Sequence, residues 1–124
     1  MKFTRELPTS ISIRSVSNDA VCIGAETYSE TVALTPDVII DSWAAGPVHA
    51  LAEVDFQVLF DTSPELVVLG TGRKNIFPPR ELVFAFARRG IGLEVMNTPA
   101  AARTFNVLAG EGRRIAAVLY IDQR

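Results

Sequence analysis

Hydrophobic and polar positions follow different periods in the two halves of the chain. The first half has short apolar runs separated by polar and turn-forming residues, a pattern that predicts several short strands. The runs are Ile11 to Val16, Val21 to Gly24, Thr31 to Leu34 and Val38 to Ile40, preceded by an extended lead-in over residues 1–9. The first two runs are predicted to pair as a β-hairpin, because Asn18-Asp19 between them is a turn signal.

Helices and strands alternate from Leu51 onwards. An apolar stripe near helical spacing predicts a short helix from about Ala52 to Phe60. The stripe consists of Leu51, Val54, Val58, Leu59 and Phe60. The run from Leu66 to Leu69 is apolar at every position, which is typical of a strand covered on both faces.

Prolines and glycines mark the bounds of two further helices. The second helix is predicted to begin at Pro78 or Pro79 and to end at Gly90. Its apolar face is predicted to be Leu82, Val83, Phe86 and Ala87. After a strand from Leu93 to Met96, the third helix is predicted to begin with Thr98 as N-cap and Pro99 at the first helical position.

The last part of the chain contains the rest of the third helix and one more strand. The helix is predicted to bury Ala102, Phe105, Leu108 and Ala109 and to end at Gly110 or Gly112, before a strand from Ile115 to Ile121. Residues 1–124 are therefore predicted to form a single α/β domain. Its mixed or parallel sheet carries helices on its faces, with additional β structure from the N-terminal half beside it.

Composition and charge narrow the classes of function. Hydrophobic residues make up 48% of the chain and charged residues 21%, the balance of a globular protein. The net charge of −2 and the pI near 5.3 rank nucleic-acid binding well below other functions. The arginines are concentrated in the second half and many acids in the first, so we expect a basic face unless folding interleaves the two.

The cysteine count and the N-terminus predict a cytoplasmic protein. Cys22 is the only cysteine, so no disulfide forms within the chain, and a free thiol suits a reducing compartment. The first ten residues lack the apolar segment of a secretory signal. No apolar run approaches the roughly 20 residues that span a bilayer, so no membrane span is predicted.

The best candidate site is the turn after the Leu66 to Leu69 strand, Gly70-Thr71-Gly72-Arg73-Lys74. Glycines allow a sharp turn that exposes backbone N–H groups, while Arg73 and Lys74 add positive charge. Such a corner suits a small anion, such as a carboxylate, phosphate or sulfate. The pattern is neither a P-loop nor a dinucleotide fingerprint. The alternative interpretation is that the glycines only turn the strand.

A second candidate lies at the start of the third helix. If the two strands are parallel neighbours, Thr98 lies beside the Gly70 corner, and Arg103 and Asn106 share a helix face because they are three residues apart. The alternative interpretation is an N-cap and two solvated polar residues.

No residue is predicted to be catalytic. His49 is the only histidine, no serine lies in a GxSxG motif, and the neighbours of Cys22 favour a buried, inert thiol. No metal site or cofactor is predicted. Trp43 and Phe77 are large apolar residues in predicted loops, where they either fill the core, the commoner outcome, or contact a partner.

The second half resembles a known family of small α/β domains, the MTH938-like or DUF498 family. The similarity lies in LGTG at Leu69 to Gly72, FPP at Phe77 to Pro79, the strand GIGLEVM, and TFNVL at Thr104 to Leu108. It implies a three-layer fold with a mixed central sheet, flanking helices and extra β structure at one side. The family pattern has a glycine where Pro99 stands, so it points to Thr98 rather than Pro99 for binding.

The resemblance also bears on function. No enzymatic activity is assigned to the family in general. The family includes a mitochondrial respiratory complex I assembly factor that works by binding other proteins. The absence of a transit peptide indicates a bacterial member. Our first hypothesis is a non-enzymatic interaction or assembly module with a protein partner. The alternative is a binder of a small anion, or an enzyme acting on one, at Gly70–Arg73 and Thr98–Asn106.

Overall fold

A computed structural model describes residues 11–17, 19–40, 43 and 46–122. The extended lead-in expected over residues 1–9 and Asn18 of the predicted turn lie outside these residues. The described strands are β1 (Ile13–Val16), β2 (Val21–Ile23), β3 (Glu26–Tyr28), β4 (Val32–Leu34), β5 (Ile39–Ile40), β6 (Leu66–Thr71), β7 (Gly92–Met96) and β8 (Ile115–Tyr120). The α-helices are α1 (Gln57–Phe60), α2 (Arg80–Arg89) and α3 (Thr98–Gly110), and 3₁₀ turns span Val48–Ala50 and Glu53–Phe56.

The strands form two sheets. The larger has five strands in the order β5-β4-β8-β6-β7, and the smaller is the meander β1-β2-β3. β6 runs parallel to both β7 and β8, whereas β4 is antiparallel to β8 and to β5, so the larger sheet is mixed. The predicted α/β fold with a mixed central sheet and extra N-terminal β structure is confirmed.

The larger sheet lies between two layers because successive side chains of a strand point to opposite faces. One core packs α3 and the smaller sheet against residues such as Val68 and Ala117. The other core packs α1 and α2 against the alternating residues, such as Val67 and Ala116. β6 and β8 are buried almost throughout, as their unbroken apolar runs predicted.

The predicted inward face of the first helix is confirmed at Leu51, Leu59 and Phe60 but wrong at Val54 and Val58. The segment begins as the 3₁₀ turn Glu53–Phe56 and continues as the single α-helical turn α1. Val54 and Val58 are 76% and 44% exposed, while Phe56 and Leu59 are fully buried. The 3₁₀ turn has three residues per turn, which shifts the inward positions away from the spacing assumed for an α-helix.

The bounds predicted for α2 are confirmed, but half of its predicted apolar face is wrong. The helix follows Pro79 and ends at Gly90, whose φ of 69° is left-handed. Leu82 and Phe86 are buried as predicted, and Ala85 between them completes the stripe. Val83 is 43% exposed and Ala87 is exposed, because a helix rotates by about 100° per residue and the sheet covers only one stripe.

α3 packs through Ala101, Ala102 and Phe105, while Leu108 and Ala109 are partly buried at its end. Asn97 rather than Thr98 is its N-cap, since the Asn97 side chain accepts a hydrogen bond of 2.8 Å from the Ala100 N–H. An amide oxygen caps a helix as well as a hydroxyl does, which leaves the Thr98 hydroxyl available elsewhere. Within the ranges described, no helix is long and apolar enough to cross a bilayer.

Candidate functional site

The two candidate sites predicted from the sequence lie side by side at the carboxyl ends of the parallel strands of the larger sheet. Parallel pairing aligns Gly70 of β6 with Met96 of β7, and aligns Thr71 with Tyr120 of β8. The carboxyl ends of three strands therefore meet where the chain turns towards α2 and α3. Open α/β sheets commonly bind their ligands at the carboxyl ends of the strands.

Thr98 joins the three strand ends and is only 3% exposed. Its hydroxyl accepts a 2.8 Å hydrogen bond from the Gly72 N–H and donates one of 2.6 Å to the Tyr120 carbonyl. The Thr98 N–H in turn donates to the Gly72 carbonyl at 2.8 Å. The Thr98 hydroxyl therefore both donates and accepts a hydrogen bond inside the protein, where it fixes the relative positions of the two corners.

The glycines of the corner are required by close contacts. A Cβ at Gly70 would lie 2.9 Å from the Thr98 Cα and 3.0 Å from the Ala101 Cβ, distances that a packed backbone does not tolerate. Gly72 has a φ of +92°, and a side chain there would collide with the Asp122 carboxylate. The alternative interpretation of these glycines, a purely structural turn, thus accounts for both positions.

Thr71 closes the loop that follows β6. Its buried hydroxyl donates to the Lys74 carbonyl at 2.5 Å and accepts a hydrogen bond of 3.1 Å from the Ile76 N–H. The loop therefore has a defined shape that projects the side chains of Arg73 and Lys74 outwards, where both residues are exposed.

A carboxylate of the chain itself occupies part of the predicted anion site. Asp122 Oδ2 accepts hydrogen bonds from the Arg73 N–H at 3.0 Å and from Arg73 Nε at 2.9 Å. Beside this pair is an open hollow of about 550 Å³, lined by Thr71, Arg73, Lys74, Ile76 and Asp122. The Lys74 ammonium and the remaining guanidinium N–H groups are the donors left for another anion.

Arg103 and Asn106 do not join the corner in the same way. Arg103 is exposed on α3. The Asn106 side chain holds β1 instead, since its Oδ1 accepts from the Ile13 N–H at 2.9 Å and its Nδ2 donates to the Ile13 carbonyl at 2.7 Å. Asn106 therefore ties the smaller sheet to α3.

Tyr120 carries a shifted pKa at the same edge. Burial raises its pKa to about 12, and the negative charge of Asp55 adds to the rise. Its hydroxyl donates a 2.6 Å hydrogen bond to the Gly46 carbonyl, and its ring lies edge-on to Trp43, with centroids 6.3 Å apart. Trp43 is 7% exposed and packs in the core, the commoner of its two predicted outcomes.

The expectation of a buried thiol is wrong. Cys22 is partly exposed on β2, and its Sγ lies 3.4 Å from Thr27 Oγ1. The hydrogen bonds with Thr27 and then Ser15 lower the pKa of this thiol. Alternation along a short strand of the smaller sheet sends Val21 and Ile23 inwards and Cys22 outwards.

The structure also has exposed apolar residues in and before α2. Phe77 does not fill the core, the commoner of its two predicted outcomes, and the exposure of Val83, Phe84 and Ala87 was not predicted. We define the α2 surface as Phe77, Val83, Phe84 and Ala87. Phe77 is 75%, Phe84 54% and Val83 43% exposed, and Ala87 is also exposed. The signal was present in the sequence: Leu82, Ala85 and Phe86 form one stripe, which leaves Val83, Phe84 and Ala87 on the other side.

The fold and the corner together define a class of protein: a three-layer α/β domain whose strand-end corner is closed by its own threonine and aspartate. The chain belongs to the family described as protein of unknown function DUF498/DUF598, whose sequence profile matches residues 13–120.

Solved structures of similar chains have the same fold. A Xanthomonas campestris protein, 30% identical, superposes with a TM-score of 0.84 over 97% of this chain and 94% of its own. A Bartonella henselae protein described as an outer membrane protein, 28% identical, gives 0.79 over 95% and 100% of the two chains. A Bordetella pertussis Mth938-like domain, 23% identical, gives 0.73 over 98% and 93%, which supports the MTH938-like fold alone.

A rat protein named NADH dehydrogenase (ubiquinone) 1 alpha subcomplex assembly factor 3 is similar over most of this chain. It is 32% identical over 116 residues, which are 92% of this chain and 62% of the rat protein. The bovine protein of the same name is 32% identical over 117 residues, covering 93% and 63% of the two chains. The chain thus spans less than two thirds of these relatives.

Proposed function

We propose that this chain is a non-enzymatic interaction module of assembly type that binds another protein through the α2 surface. The observation that carries the proposal is the exposure of two phenylalanines close together in the chain, Phe77 at 75% and Phe84 at 54%. Exposed aromatic residues are enriched at protein interfaces, where they supply much of the binding energy.

The names of the relatives support an interaction role. The rat and bovine relatives are named as assembly factors. The chain spans less than two thirds of their length, so a partner of this chain is proposed for its own surface and is not copied from theirs.

Affinity capture after chemical crosslinking tests the proposal. We compare the wild-type chain with Phe84→Asp and with a matched control, Val107→Asp. Val107 is 59% exposed on α3, on the opposite side of the larger sheet, so the same apolar-to-acidic change is made at a similarly exposed helical position. We expect crosslinked partners to be lost from the Phe84 variant and retained by the Val107 variant. Equal recovery by all three chains would contradict the proposal.

The second candidate function is binding of a small anion at the corner that includes Gly70, Thr71, Gly72, Arg73 and Thr98, with Arg103 and Asn106 as the further residues predicted from the sequence. The hollow beside Arg73 and Lys74 favours it. Titration with inorganic phosphate, followed by amide chemical shifts, tests it.

Two variants test whether phosphate binds at this corner. Arg73→Ala should weaken binding by about 1.5–3 kcal/mol, the value of a charge-assisted hydrogen bond. Asp122→Asn should strengthen binding, because it removes the negative charge that already accepts from the Arg73 N–H and Nε. Shifts that are the same in wild type and both variants would rule out this site.

We also propose a cytoplasmic location, on the basis of the free thiol of Cys22. The Bartonella relative described as an outer membrane protein makes the membrane fraction the competing result. Fractionation of the source cells, with the chain detected by antibody, tests this: recovery with membranes after a salt wash would contradict it.

A further inference from the structure

We propose that the α2 surface binds an amphipathic helix of another protein, one whose apolar stripe is flanked by acidic side chains. This inference rests on the proposed interaction function and adds the chemistry of the partner. Three features carry it: the spacing of the apolar side chains, the closed hydrogen bonding of α2, and the charges around the surface.

The apolar spacing on α2 suits helix-on-helix packing. Val83, Phe84 and Ala87 follow the i, i+1, i+4 positions of one helical side, and the exposed Phe77 lies in the loop that leads into the helix. Ridges formed by residues three and four apart pack into the grooves of a second helix. A strand cannot add here by backbone pairing, because the backbone hydrogen bonds of a helix interior are already made.

We define the rim of the α2 surface as the exposed cations of the helix and of the loop before it, Lys74, Arg80 and Arg88. Lys74 and Arg80 are exposed, and no described residue forms an ion pair with either side chain. Arg88 is held only loosely, 3.8 Å from Glu53 with 68% of its side chain exposed. Glu53 pairs more closely with Arg89, at 2.8 Å. Glu81 is the one acid in α2, so the rim is net positive.

The positive charge of this rim favours a partner with acidic side chains. A basic rim attracts acidic side chains and repels other basic surfaces. A second copy of the chain, docked through the same surface, would place Lys74 and Arg80 against equally basic rims. The chain as a whole carries a charge of −2, so attraction of an acidic helix depends on the local rim and not on a general field.

A membrane is a less suitable partner for the α2 surface than a helix of another protein. Helices that lie in a bilayer interface bury their main apolar face in lipid. The main apolar face of α2 is Leu82, Ala85 and Phe86, and all three are buried in the core. The residues left for a partner are on the other side of the helix, Val83, Phe84 and Ala87.

Two synthetic helical peptides provide the test. Both carry the same leucine stripe, flanked by glutamate in one and by lysine in the other. Amide chemical shifts of the labelled protein are followed during each titration. We expect the glutamate peptide to shift residues 77–88 and to bind on the order of tenfold more tightly than the lysine peptide. The double variant Lys74→Glu, Arg80→Glu should abolish or reverse this preference, whereas Arg103→Glu on α3 should leave it unchanged.

Several results would overturn the inference. They are equal binding of the two peptides, shifts that fall outside residues 77–88, and shifts in that segment with phosphatidylserine vesicles but with neither peptide. Loss of a dimer on Phe84→Asp in sedimentation would also overturn it, since a second copy would then be the occupant. If the crosslinked partners still depend on Phe84 while the peptides show no charge preference, the proposed function stands and this inference fails.

Discussion

At the scale of single residues, Thr98 shows how an apparent ligand group can be structural. Its hydroxyl sits at a helix start beside a glycine turn, a pattern that suits anion binding. In the structure it links the Gly72 N–H to the Tyr120 carbonyl. The sequence places Thr98 at the corner, but its N-cap role belongs to Asn97, because either residue satisfies the preference for a short polar cap.

Replacing Thr98 by Val should destabilise the protein by about 1–3 kcal/mol, because it leaves buried hydrogen-bonding groups without partners. The free energy of unfolding in urea measures the effect. Thr104→Val is the matched control on the same helix, since the Thr104 hydroxyl makes a weak hydrogen bond of 3.4 Å to the Met96 sulfur. Its effect should stay within about 0.5 kcal/mol. Equal losses from the two variants would show that the Thr98 hydrogen bonds contribute nothing specific.

The raised pKa of Tyr120 predicts that the stability of the protein depends on pH in the alkaline range. Its folded-state pKa of about 12 lies above the ordinary value of 10.0, so the folded protein holds the proton more tightly than the unfolded chain does. The resulting stabilisation is complete below pH 10 and is lost as the pH rises through about 12. The free energy of unfolding of the wild type should therefore fall relative to that of Tyr120→Phe over this range. Parallel curves for the two proteins would contradict the raised pKa.

At the scale of elements, the strands and helices of the second half could be predicted closely. The apolar runs of β6 and β8 and the Pro and Gly residues that bound α2 are local signals, and they fixed those elements almost to the residue. The buried faces of the helical segments were harder to predict. Val54 and Val83 are apolar but exposed, and only the packing of larger neighbours such as Phe56 and Phe86 decides which side of the segment is buried.

Contacts between distant segments left no signal in the sequence. Asn106 bonds both backbone groups of Ile13 across a separation of 93 residues. Asp122 reaches Arg73 across 49 residues. The sequence does not show whether a polar side chain on a helix faces solvent or forms hydrogen bonds with a distant strand. The anchoring of the smaller sheet by Asn106 could therefore not be predicted.

Replacing Asn106 by Ala should loosen β1 without unfolding the larger sheet. The Ile13 N–H then loses the Asn106 Oδ1 acceptor, so its hydrogen exchange should accelerate while the amides of β6 stay protected. Arg103→Ala, an exposed change on the same helix, serves as control and should alter neither region. A uniform acceleration in both sheets would show that Asn106 acts on global stability instead.

At the scale of the whole molecule, ion pairs join several arginines of the second half to acids from both halves of the chain. Arg89 pairs with Glu53 at 2.8 Å and Arg113 with Glu65 at 2.6 Å, while Arg73 pairs with Asp122 at 2.9 Å. The basic face allowed by the sequence is therefore reduced to local patches, and the one around α2 coincides with the exposed phenylalanines. This coincidence of apolar and basic side chains is the feature on which the account of function depends.

Site-specific photo-crosslinking in the source cells tests that account most directly. A photoreactive phenylalanine analogue is placed at Phe84 in one chain and at Val107 in another, both exposed helical positions. If the α2 surface is the interface, irradiation should give a discrete crosslinked protein band from position 84 and none from position 107. The same bands from both positions, or no band from position 84, would contradict an interface at α2.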